Sequence, residues 1–216
     1  MNVDLNKGNG TDLHTDVTVM SVVDEGRKTV VRATDGRTWS APVVVVAVGM
    51  QPATGQADAA GLDVANGIVV DASGQTSIPG IYTASDVVNM PKGVLERRHR
   101  VEHWQGAQNH GAAVGKAMAG ADSTFVEVTW CWSDQYGINL QVAGWPEVSH
   151  DVRIRGSIDA HDFSAFLLAG NTILGCVTIG RPRDVRQARN WTAAGARVRP
   201  DVLADESIAL IDSVIT

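Results

Sequence analysis

Polar and apolar positions change rhythm several times along this chain. Met1 to Thr11 is polar and rich in Gly and Asn, with no periodicity, which predicts a flexible start rather than a buried first strand. Val17 to Val23 and Thr29 to Ala33 are β-branched runs and predict two strands. Asp35-Gly36 predicts a type I′ hairpin turn, with positive φ at both central positions, leading into a third strand at Arg37 to Ser40. After Pro42, Val43 to Val48 is apolar without alternation. Such a run predicts a strand covered on both faces, as in a parallel sheet. It ends at Gly49, where a backbone can approach a ligand closely.

Gln51 to Leu62 reads as loop and weak helix, Ile68 to Asp71 as a strand, and Gly74 to Gly80 as turn. Ile81 to Ala84 predicts a short apolar strand that delivers Ser85-Asp86 at its end. Helical spacing of Ala107, Val114, Ala117 and Met118 predicts a helix over Gln105 to Ala119, with Gly106, Gly111 and Gly115 permitting close packing. The texture changes after Gly120. Trp130 to Ser133, Ile138 to Ala143, Val152 to Ile158, Phe163 to Leu168 and Thr172 to Ile179 predict an antiparallel sheet. Arg183 to Ala194 predicts a helix with an arginine-rich outer face, and Pro200 opens a last short helix. A boundary falls near Ala121 to Glu127.

The 216 residues are 44% apolar and 19% charged, ordinary for a globular protein of one or two domains. The net charge of −6 and the lack of any basic run beyond Arg97-Arg98-His99-Arg100 argue against a nucleic-acid partner. Cys131 and Cys176 stand apart, without metal-like or CxxC spacing, and read as buried free thiols of a reducing compartment. No signal peptide opens the chain and no apolar run approaches a bilayer span, so the expectation is a cytoplasmic protein with no membrane partner.

Four segments carry candidate chemistry. Thr76 to Val87, TSIPGIYTASDV, ends in a carboxylate, Asp86, that can accept hydrogen bonds from a ligand hydroxyl, while the following backbone N–H groups, from Val87 on, can meet a phosphate. Taken alone, an aspartate there is a turn or helix cap. Val43 to Pro52, VVVVAVGMQP, is by itself core structure ending at a glycine. Arg100 to Gly111, RVEHWQGAQNHG, holds Glu102, His103 and Trp104; by itself Glu102 is a surface carboxylate or a helix N-terminal charge. Trp130 to Tyr136, WCWSDQY, followed by LQVAG at Leu140 to Gly144, places Trp132 on a strand, where a tryptophan is either core or the cover of a ligand ring.

These four strings, in this order, resemble the FAD- and NAD(H)-dependent ferredoxin reductases that serve bacterial oxygenases, of the putidaredoxin reductase and biphenyl dioxygenase reductase type. The likeness runs over Leu13 to Ile208. It implies a mixed fold, α/β then α+β. An incomplete pair of Rossmann-like dinucleotide-binding portions would be followed by a C-terminal antiparallel α+β reductase domain. The implied limits are 1–52 for the end of the NAD-binding domain, 53–122 for the second half of the FAD-binding domain, and 123–216 for the C-terminal domain. It implies FAD contacts at Asp86, Val87, Trp104 and Trp132, and nicotinamide contacts at Glu102, Val48 and Gly49. The family's motif ends Gly-Asp; here Ser85 stands in the glycine's place, which suits a serine if its φ is negative. Hydride transfer between nicotinamide and flavin requires no acid–base group, so His103 reads as structural.

The GxGxxG string that admits a dinucleotide pyrophosphate to a helix N-terminus occurs nowhere in the chain. The expectation is the C-terminal half of a flavoprotein oxidoreductase. Complete, it would pass electrons from NADH through FAD to a [2Fe–2S] ferredoxin, docked on Arg97, Arg98, Arg100, Arg183, Arg186 or Arg189. The alternatives are a non-catalytic module that dimerises or binds a partner, and a truncated remnant.

Overall fold

The computed structural model describes residues 2–91, 97–125, 128–145 and 151–215. They fall into two compact units, Met1–Met50 and Gln51–Thr216. The Glu127 end of the expected inter-domain boundary lies outside the described residues.

The first unit opens with a helix, α1 (Asn2–Gly8), where a flexible start was expected. Local chemistry accounts for it. Asp4 in the first turn and Lys7 in the last complement the helix dipole, and the Asn9 amide donates to the Leu5 carbonyl at 2.8 Å. Three antiparallel strands follow in the order β1 (Val19–Asp24), β2 (Thr29–Ala33), β3 (Thr38–Ala41). Val30 and Ala33 are buried. The β2–β3 turn is not type I′. Gly36 has a φ of 88° but Asp35 is not left-handed. Instead Ala33 N–H donates to the Arg37 carbonyl at 2.9 Å, and Asp35 accepts from Arg37 N–H at 3.0 Å. The aspartate side chain does the work that a second left-handed residue would do.

Val43 to Val48 corrects a stronger expectation. It lies in no strand, and Val43, Val45, Val46 and Val48 are exposed, Val48 by 88%. A strand buried on both faces needs neighbours on both edges. The sheet of this unit is an antiparallel meander, and none of its strands pairs with the run.

In the second unit a short helix, α2 (Gly55–Ala59), precedes two short parallel strands, β4 (Ile68–Val69) and β5 (Val88–Asn89). Their core is Val70, Val88, Met90 and Val101, with Val87, Phe125 and Trp145 packed against it. Ile81 to Ala84 forms no strand. Tyr82 makes a single bridge to Gln75, and the segment folds back through Thr76 N–H to Ile81 O and Thr83 N–H to Gly74 O. Helix α3 (Trp104–Met118) buries Gly106, His110 and Val114. Of its three glycines only Gly106 is forced: a Cβ there would lie 2.7 Å from Val101, whereas Gly111 and Gly115 face open space.

The rest of this unit is a five-stranded antiparallel sheet in the order β6-β7-β10-β9-β8. The strands are β6 (Trp130–Gln135), β7 (Ile138–Gly144), β8 (Asp151–Ser157), β9 (Asp162–Ala169) and β10 (Thr172–Ile179). Helix α4 (Pro182–Ala193) starts with proline at its first turn, where no N–H is needed. It lays Val185, Ala188 and Trp191 on the sheet. The helix α5 (Pro200–Ala204) and a 3-10 turn at Leu210–Ser213 close the fold. Phe166, Leu168, Ile173, Cys176, Ala188, Trp191, Val198 and Leu203 form one core. Cys176 is fully buried, and burial pushes its thiol well above the ordinary range; Cys131 is only partly buried, against expectation.

Candidate functional site

The loop that carries Asp86 is pinned from three sides. Gly67 has a φ of +114°, and a Cβ there would fall 2.6 Å from the Val87 carbonyl, so only glycine lets that backbone pass. Behind the loop, Arg100 donates to the Asp86 carbonyl at 2.8 Å and pairs with the Glu102 carboxylate. On the third side Ser85 N–H donates to Nδ1 of His110 at 3.3 Å. His110 is 3% exposed and lies 4.8 Å from the Phe125 ring. Burial lowers its pKa, which keeps the imidazole neutral and able to accept at Nδ1.

Ser85 has a φ of 78°, so the condition under which a serine would suit the glycine's place is not met. A serine in the left-handed region costs about 1–2 kcal/mol relative to glycine. Its hydroxyl donates to Oδ1 of Asp86 at 2.5 Å. That bond, with the aspartate's own N–H and the Arg100 charge, holds the Asp86 carboxyl below its ordinary range against partial burial. An ionised carboxylate has about four acceptor positions, and Ser85 and the aspartate's own N–H take two of them. The remainder suit a polyhydroxylated ligand, so the donor and acceptor chemistry fits a flavin cofactor here.

Helix α3 begins beside this loop. His103 caps it, its Nδ1 accepting from Gly106 N–H at 2.9 Å, in keeping with a structural histidine. Trp104, in the first turn, is 70% exposed and presents a large aromatic surface to solvent. Asp86 and Glu102 are thus joined through Arg100, with Val87 next after Asp86 in the chain and Trp104 two residues beyond Glu102.

Trp132 belongs to another element, the edge strand β6. Its ring lies 4.9 Å from Trp130, and the Arg189 guanidinium sits 5.3 Å above Trp130. Val48 and Gly49 belong to the first unit, Gly49 with a φ of 94°. Of the arginines proposed to meet a ferredoxin, Arg98 donates to the Val70 and Asn89 carbonyls and Arg100 is taken up as described. Arg97, Arg183 and Arg186 are exposed. His110, the support for Ser85, is not singled out by the sequence motifs. The one available signal was a second histidine seven residues after His103, two helical turns along the same face.

Among the described residues no helix is long and apolar enough to cross a membrane, and no group of three or more His, Cys, Asp or Glu is gathered to hold a metal.

A short parallel strand pair, a loop ending in a clamped aspartate and a helix beside it form a mixed α/β arrangement followed by an antiparallel sheet domain, the architecture of the reductases it matches. The chain belongs to the pyridine nucleotide-disulphide oxidoreductase family, whose model matches residues 4–111, and a reductase C-terminal model matches residues 130–214. It is similar to the ferredoxin–NAD(+) reductase component of the p-cumate 2,3-dioxygenase system of Pseudomonas putida. The identity is 35% over 209 residues, 96% of this chain and 50% of the relative. The ferredoxin reductase for the CYP199A2 system of Rhodopseudomonas palustris superposes with a TM-score of 0.90 at 31% identity, over 99% of this chain and 53% of that one. The reductase in a covalent putidaredoxin reductase–putidaredoxin complex also superposes with a TM-score of 0.90, at 30% identity over 97% and 51%. The chain spans about half the length of the relatives it matches.

Proposed function

We propose that this chain supplies the C-terminal half of an FAD-dependent NADH:ferredoxin oxidoreductase serving a cytoplasmic oxygenase system, with a [2Fe–2S] ferredoxin as partner. The observation that carries the reading is the clamped Asp86 loop at the head of α3, in a chain with this family membership. Two of the relatives named above are ferredoxin reductases by name, and a third is a putidaredoxin reductase in complex with putidaredoxin; these names support the partner. We divide the chain functionally at 1–52, 53–122 and 123–216.

FAD, when held here, would supply the redox chemistry, an acceptor of electron pairs and a donor of single electrons. The side chains hold and orient. Asp86 accepts from a cofactor hydroxyl, and the Val87 backbone meets a phosphate. Trp104 and Trp132 cover ring faces. Glu102 recognises a carboxamide, with Arg100 fixing its direction. Val48 and Gly49 offer backbone to the nicotinamide. His103 caps a helix and carries no proton in the reaction. Taken alone the chain is inactive, because no GxGxxG string is present to seat a pyrophosphate.

The test joins this chain to the half of the p-cumate system reductase that it does not span, then compares Asp86→Ala with His103→Ala. Asp86→Ala is expected to lose about 1.5–3 kcal/mol of charge-assisted bonding, one to two decades of FAD affinity. His103→Ala is expected to lower stability by about 1 kcal/mol through the lost cap, with bound flavin still reduced by NADH. Parental flavin content in Asp86→Ala would remove Asp86 from the site. Loss of flavin reduction in a flavin-loaded His103→Ala would restore a chemical role to the histidine.

A further inference from the structure

We propose that Ser85 is a positioning residue for Asp86: its hydroxyl orders the carboxylate in advance, so that a cofactor hydroxyl meets an acceptor already fixed in place. The inference rests on the reading of Asp86 as a cofactor contact.

Ser85 sits in the left-handed region, at a φ of 78°, where glycine is at ease and a side chain is not. A turn needed only for chain reversal is better served by glycine. Strain held at one residue persists when its surroundings over-determine it, and three bonds do so here. Ser85 N–H donates to the buried His110, its carbonyl accepts from Val88 N–H at 3.2 Å, and its hydroxyl reaches Oδ1 of Asp86 at 2.5 Å. The first two use only backbone atoms of Ser85 and would survive with glycine. Only the third requires a hydroxyl. It acts together with Arg100, which donates to the Asp86 carbonyl at 2.8 Å. Backbone and carboxylate of Asp86 are therefore both fixed before any ligand arrives, which lowers the ordering cost of binding.

Two substitutions separate the strain from the hydroxyl. Ser85→Gly removes both; Ser85→Ala keeps the strain and removes the hydroxyl. In the chain itself, melting temperature and the carboxyl titration of Asp86, followed by carbon NMR, are the readouts. Ser85→Gly is expected to melt higher and Ser85→Ala lower than the parent, while in both the Asp86 midpoint moves up toward the ordinary carboxylate range. In the enzyme completed with the relative's half, both variants are expected to bind FAD about five- to tenfold more weakly, the effect of one hydrogen bond. For Ser85→Gly, stability and affinity therefore move in opposite directions. If Ser85 were only structural, Ser85→Gly would gain in both and leave the Asp86 titration where it was; that result overturns the proposal. Asp86→Asn serves as the control. Parental FAD affinity there defeats the cofactor reading, whereas an unmoved Asp86 titration in Ser85→Gly defeats the positioning role.

Discussion

Gly144→Ala is expected to destabilise the C-terminal sheet by about 3–5 kcal/mol, from backbone strain and overpacking together. Gly144 ends β7 opposite Gly175 of β10, with a φ of +75°. A Cβ there would fall 2.1 Å from the Leu174 carbonyl oxygen and 2.7 Å from the Gly175 Cα. Both are backbone atoms of a central strand, so no side chain can swing away. The paired position is equally tight: a Cβ on Gly175 would lie 2.4 Å from the Ala143 carbonyl. The two glycines let β7 and β10 close where β10 is bulged, between Ile173 and Gly175. Gly137→Ala is the control. Its φ of +77° is the same, but open space surrounds it, so only the strain of about 1–2 kcal/mol applies. Urea unfolding of the two variants checks the difference; equal losses would mean that contact at Gly144 plays no part.

The second large effect is expected at Arg155. This arginine of β8 is only 8% exposed. It donates to the Leu203 carbonyl at 3.3 Å, to the Asp205 carbonyl at 2.6 Å and to the Ile208 carbonyl at 2.8 Å. These carbonyls belong to α5 and the chain just after it, a helix end whose C=O groups lack intrahelical partners. One planar guanidinium thus latches the C-terminal segment onto an edge strand of the sheet. Arg155→Met is expected to cost about 3–5 kcal/mol, because three hydrogen bonds from a buried charged donor are lost, one of them to the carbonyl of the buried Leu203. The loss should be local first. Hydrogen exchange is expected to rise over residues 200–215 before the sheet opens. Arg155→Lys recovers only part, since one ammonium cannot serve carbonyls spread along the segment as a fork does. Unchanged exchange over that segment in Arg155→Met would show that the latch is not what holds it.

How much of this was legible depended on how local the controlling interaction is. The strands after Gly120 were readable because β-branched runs and turn residues alternate there at short range; β6 to β10 and α4 lie within a few residues of expectation. Pro182 and Pro200 marked helix starts for the same local reason. Val43 to Val48 was misread because a periodicity states what a strand requires of its neighbours, not whether those neighbours stand beside it. At Ser85 the family pattern supplied the loop, but one of the bonds that hold its backbone comes from His110, 25 residues away. The Arg155 latch spans about 50 residues and involves backbone carbonyls, which leave no trace in side-chain pattern. The Asp35 turn failed more subtly: Asp-Gly signals a hairpin correctly, yet a side-chain acceptor replaces one of two left-handed residues.

The central claim is that these residues complete a flavin-dependent ferredoxin reductase. It is tested most directly by joining the chain to the half of the p-cumate system reductase that it does not span and measuring NADH-dependent reduction of a [2Fe–2S] ferredoxin by the purified product. The account predicts a yellow protein with about one FAD per chain that reduces the ferredoxin, and Asp86→Ala that loses flavin and activity together. A folded, monodisperse product that holds no flavin at saturating FAD would contradict it.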